Sequence, residues 1–103
     1  MAQNWWVGIW TGDPDWCSAA GQIGEVSPAP IEISETAIRG YEYGCDISKA
    51  REVGKVNAAL LRLNCSGEGE TYKEQRLILK QDENAIWIWW GDGEPILFTR
   101  CKG

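Results

Sequence analysis

Four cysteines (Cys17, Cys45, Cys65 and Cys101) and seven tryptophans stand in a chain of 103 residues that contains no histidine. These residue types decide which chemistry is open to the chain. Without histidine there is no Ser-His or Cys-His pair and no HExxH zinc site. The cysteines lack CxxC spacing, which argues against thiol redox chemistry and for two disulfides. A carboxylate pair could in principle hydrolyse a glycoside, but a chain this short leaves little room for a cleft flanked by two acids. No catalytic residue, cofactor or metal is therefore expected.

Binding remains, and two groups of side chains are candidates for it. The first is aromatic. Trp6 and Trp10 lie on one face of an early strand, and Trp87 with Trp89, or Trp90 instead, on a late one. Both strands are apolar on both faces, so one face of each is core and the other points outwards. A covering loop, 12–30, would make these residues a second small core. Left uncovered, they would form a platform for a protein partner or for sugar rings. The second group is acidic: Asp13, Asp15, Glu68, Glu70, Asp92 and Glu94, all in Gly-rich turns. Solvated turns explain such residues without any ligand. Steering of a cationic partner is the functional alternative. Calcium is a third reading, but no loop carries the alternation of an EF-hand.

The formal charge of −5 disfavours nucleic acid and anionic membrane surfaces, which need clustered Lys and Arg. No segment reaches the roughly 18 apolar residues of a membrane span. Disulfides place the chain in an oxidising compartment, periplasmic or secreted, the alternative being a cytosolic protein with four free thiols. Ala2-Gln3 suits a mature start after signal cleavage, with Met1 an added initiator. Asn64-Cys65-Ser66 fits a glycosylation sequon, relevant only in a eukaryotic secretory pathway.

The elements that must position these residues read as strands, with period-2 alternation and frequent turn residues. The expected strands are 5–11, 31–34, 37–48, 56–65, 72–80, 85–90 and 96–101. Residues 12–30 form a long irregular connection. Tyr41, Tyr43, Cys45 and Ile47 share one face, as do Ala59, Leu61, Leu63 and Cys65; Leu77 and Leu79 are placed inside. Residues 56–63 tolerate helix, but the alternation from Ala59 to Cys65 favours strand. Asp92-Gly93 between apolar runs signals a short hairpin. The result is one all-β domain over 1–103, an antiparallel meander of six or seven strands closed into a barrel or a compact sandwich, with the last strand on the first.

In that meander Cys65 lies at one end, with the 66–71 and 91–94 turns, and Cys17 lies just beyond the first strand at the same end. Cys45 and Cys101 fall at the other. Strands of about seven residues span roughly 23 Å, and bonded cysteines need Cα atoms about 4.4–6.8 Å apart. The pairing 17–65 with 45–101 follows if the meander and its closure hold. The sequential pairing 17–45 with 65–101 is the alternative, since connectivity is not fixed by spacing alone.

Gly8-Ile9-Trp10 resembles the GxW that opens lipocalin-like barrels. Trp16-Cys17, Ile31-Glu32-Ile33, Gly40-Tyr41-Glu42 with Cys45, the run from Cys65 to Glu70, the run from Gly91 to Pro95, and Cys101 resemble a pattern in small exported bacterial proteins. In size and style the chain is also similar to periplasmic inhibitors of lysozymes and proteases. Ser66-Gly67 resembles the Ser-Gly loop of the C-type lysozyme inhibitors, but a tyrosine is expected three residues after that glycine and Tyr72 stands five after it. The inhibitory residues are therefore not carried over. The resemblance implies export and a non-catalytic binding role.

The expected function is a binding or inhibitor module that presents acidic loops to a cationic protein partner. A glycan-binding module using the tryptophans is the competing reading. A structural domain with a Trp-rich homodimer interface is the third, so monomer and homodimer both stay open.

Overall fold

A computed structural model describes residues 4–101; Met1, read as an added start, lies outside them. Eight strands close into one antiparallel barrel in simple sequence order: β1 (Gly8–Thr11), β2 (Ile31–Ile33), β3 (Ala37–Gly40), β4 (Tyr43–Val53), β5 (Ala58–Gly67), β6 (Glu70–Asp82), β7 (Ala85–Trp89) and β8 (Ile96–Arg100). As expected, the last strand pairs with the first, Trp10 with Arg100 and Thr11 with Thr99, and closure leaves no free sheet edge. Residues 58–65 are strand, not helix.

The strand count is corrected upwards, to eight, by one hairpin. Residues 37–48 are not a single strand: Gly40 pairs with Tyr43 around a two-residue turn at Tyr41-Glu42. Glu42 takes the left-handed conformation there, at φ 58°, a role usually given to Gly, Asn or Asp. β4 then runs on to Val53, across a bulge at Ser48, five residues past the expected end of the 37–48 strand. Asp92-Gly93 is not a two-residue hairpin turn either, because the β7–β8 connection spans 90–95. The 12–30 connection contains a 3₁₀ helix, Pro14–Gln22, started by Asp13, whose carboxylate accepts from Asp15 N.

Both expected disulfide pairings are overturned. The bonds are Cys17–Cys101 and Cys45–Cys65. The new hairpin reverses the direction of β4, so Cys45 starts the strand beside the end of β5, directly opposite Cys65. β1 is only four residues long and its last residues pair with the last of β8. Its exit towards Cys17 therefore lies beside Cys101, not a strand length away.

The interior is filled by Trp6, Trp10, Ile33, Ile38, Cys45, Ala59, Leu61, Leu63, Cys65, Ile78, Ile86 and Ile88. Eight strands leave an interior just wide enough for side chains, and these occupy it. The faces assigned to β5 hold. Those of β6 are inverted: Arg76 and Ile78 are buried, whereas Leu77 and Leu79 are half-exposed on the outside. There they pair across the ladder with Trp89 and Trp87. Both faces of β6–β7 are apolar, so alternation alone does not distinguish inside from outside.

Candidate functional site

β1, β3, β5 and β7 all run towards one end of the barrel. The connections 12–30, 41–42, 68–69 and 90–95 therefore open there. These connections and the first residue of β6 contain Asp13, Asp15, Glu25, Glu42, Glu68, Glu70, Asp92 and Glu94, and no Lys or Arg. Glu25, Glu42, Glu68, Glu70, Asp92 and Glu94 lie in, or at the edge of, connections at that end. Asp13 and Asp15, expected with them, do not join them: the Cys17–Cys101 bond holds their helix beside the far end of β8. Asp15, Glu68, Glu70, Asp92 and Glu94 are exposed; Asp13 is half-buried as the helix cap.

The acidic residues sit at different heights. Tyr43 pairs with Gly67 and Gly67 with Glu70, so the tips of the β3–β4 and β5–β6 hairpins bring Glu42, Glu68 and Glu70 together. A Cβ at Gly67 would press on the carbonyl oxygen of Glu42, so the glycine permits that approach. Asp92 and Glu94 leave β7 at Trp89, which is level with Leu77 in the ladder. Asp13 and Asp15 flank the helix that carries the Cys17–Cys101 bond. Glu42 carries no turn signal in the sequence, because the period-2 alternation reads as strand straight through it.

The aromatic set divides. Trp6 and Trp10, expected to project outwards, are core residues at 2% and 0% exposure. The Trp10 indole N–H donates to the Trp6 carbonyl oxygen at 2.9 Å, and the two residues fill the barrel where a one-sided strand was expected. Trp87 and Trp89 do face outwards. Trp87 is half-buried, its indole N–H bonded to Gln81 Oε1; Trp89 is exposed, its N–H bonded to Gly93 O. Trp89 walls an open groove on the outer face of β5, β6 and β7, floored by Leu60 and Leu77.

One buried group belongs to neither set. Arg76 is 5% exposed, lies on the barrel's inner face, and pairs with Glu74 at 3.2 Å. Its guanidinium is 5.6 Å from the Tyr43 ring centroid and 5.3 Å from that of Trp90. Nε and Nη1 have no hydrogen-bond partner among the described residues, so the two rings and one carboxylate are what offset the burial of this charge there.

Among the described residues, one group of side chains has metal-binding proximity: Cys45, Cys65 and Glu74. The two sulfurs are bonded to each other, which removes the thiolates a metal would need.

Comparison with known proteins finds no matching family model, no matching curated protein and no matching solved structure.

Proposed function

We propose that this chain is an exported, non-catalytic binding protein that holds a cationic protein partner against the acidic end of its barrel. One observation carries the reading. Six of the fifteen acidic residues, Glu25, Glu42, Glu68, Glu70, Asp92 and Glu94, lie in, or at the edge of, the connections that share one end, and none of the ten Lys and Arg lies in those connections. A surface of one sign raises the encounter rate with a partner of the opposite sign and discourages like-charged ones. The two disulfides support export, because such bonds persist in oxidising compartments. The resemblance to periplasmic lysozyme and protease inhibitors supports a cationic enzyme as the partner.

The test is retention of the oxidised protein on immobilised lysozymes at two salt concentrations. Binding that weakens steeply with salt, and that is lost when Glu68, Glu70, Asp92 and Glu94 become Gln and Asn, supports the proposal. Retention that ignores both refutes it.

A further inference from the structure

The outer groove beside Trp89 has a charge opposite to that of the acidic end. Its geometry follows from the β5–β6–β7 ladder, in which Leu60 pairs with Leu77 and Leu77 with Trp89, giving an apolar row that ends on an exposed indole. One step along, Arg62 pairs with Gln75; Lys73, two residues before Gln75, is the diagonal neighbour of Arg62. Diagonal neighbours on one sheet face sit roughly 7–8 Å apart, within joint reach of long side chains. Arg62 and Lys73 are both exposed, both line the groove, and neither takes part in an ion pair among the described residues. The acidic residue on the lining, Glu74, gives its carboxylate to Arg76 instead.

Two cations outside any ion pair among the described residues thus lie beside an exposed indole. Ordinary solubility does not call for an apolar row beside them. The flat indole takes the C–H face of a sugar ring, Gln75 offers both a donor and an acceptor to hydroxyls, and the two cations take carboxylates. From this juxtaposition we infer that the groove is a binding site for an acidic oligosaccharide, one built from uronic acid units. The site adjoins the acidic end at Gly91, but its ligand has the opposite charge to the partner proposed there and is tested with a different probe. Failure of one reading therefore leaves the other standing.

The probe is tetragalacturonate, compared with its methyl ester, which keeps the rings and removes the charge, and with sodium acetate, which keeps the charge and removes the rings. The readout is the indole N–H resonance of Trp89 in ¹⁵N-labelled protein, assigned with Trp89→Phe. Tetragalacturonate shifts it saturably, and the ester binds about tenfold or more weakly, the scale of losing charge-assisted hydrogen bonds. Arg62→Gln with Lys73→Gln weakens tetragalacturonate to the same degree; both positions are exposed, so the fold survives. Asp92→Asn with Glu94→Gln leaves the affinity unchanged or raises it. The inference is overturned if tetragalacturonate leaves Trp89 unmoved, if the ester binds as tightly, or if acetate alone reproduces the shifts.

Discussion

The guanidinium of Arg100 lies 4.2 Å from the ring centroid of Trp10, and this pair joins the end of the barrel to its beginning. Arg100 Nη1 donates to Val7 O at 2.9 Å, Nη2 to Trp5 O at 3.2 Å and Nε to Glu83 O at 3.1 Å. One side chain thus ties the entry segment, β1 and the β6–β7 turn to β8. Gly8 lets it pass: its φ is 153°, and a Cβ there would overlap Arg100 Nη1. The Gly8-Ile9-Trp10 motif therefore has a physical content in this chain, a gap and a ring face for one arginine. Arg100→Met removes charge-assisted bonds and the ring contact together. It should cost about 2–4 kcal/mol, read by urea denaturation, with Arg100→Lys losing less. A cost below about 0.5 kcal/mol, the range of ordinary surface changes, would mean the closure does not depend on it.

The disulfides differ in the loop each closes. Cys17–Cys101 spans 84 residues and Cys45–Cys65 spans 20. On the chain-entropy account they contribute about 4.5 and about 3 kcal/mol. The Cys17→Ala, Cys101→Ala protein should therefore melt lower than the Cys45→Ala, Cys65→Ala protein, and full reduction should lower Tm below either. The reverse order in calorimetry would show that the Cys45–Cys65 staple between neighbouring strands is the more important one.

The tryptophans should separate by position. Trp10→Ala opens a cavity in the barrel centre and should cost about 3–5 kcal/mol or abolish folding. Trp89→Ala, on the outer face, should cost less, about 1 kcal/mol, since it gives up its place beside Leu77 and one bond to Gly93 O but opens no cavity in the barrel. Chemical denaturation of the two variants checks this, and similar losses would contradict the assignment of Trp89 to an outer surface.

Arg76 invites a different test. Its charge is buried with two unpartnered nitrogens, and an apolar replacement of a buried ion pair is often neutral or stabilising. Arg76→Met with Glu74→Gln should leave stability unchanged or raise it by about 1 kcal/mol. A loss of several kcal/mol would show that the stack on Tyr43 and Trp90 holds the barrel mouth together.

Much of the architecture is legible in the pattern of alternation. Ala59 to Cys65 reads as a strand with one inner face, and the turns after β5 and β7 collect Glu68, Glu70, Asp92 and Glu94 at one end. The misreadings share a cause. Tyr41, Tyr43, Cys45 and Ile47 keep an unbroken period of two through a turn made by Tyr41-Glu42, with no Gly, Asn or Asp to mark it, so the eighth strand and the Cys45–Cys65 contact were hidden together. On β6, Leu77 and Leu79 look like core because the outer face beside Trp87 and Trp89 is apolar too. Arg76, on the inner side, has no sequence signal, because burial of an arginine depends on which rings happen to flank it. The same ambiguity holds for Trp6 and Trp10, whose strand is apolar on both faces in the sequence although both side chains are core.

The most direct test of the account is retention of the oxidised protein on an immobilised cationic lysozyme at 20 mM and 200 mM salt, beside the variant Glu68→Gln, Glu70→Gln, Asp92→Asn, Glu94→Gln. Exposed charge interactions are screened as the Debye length falls below about 10 Å. The account predicts retention of the parent at low salt, loss at high salt, and no retention of the variant at either. Equal retention of parent and variant, or no retention of the parent on any cationic enzyme, would contradict it.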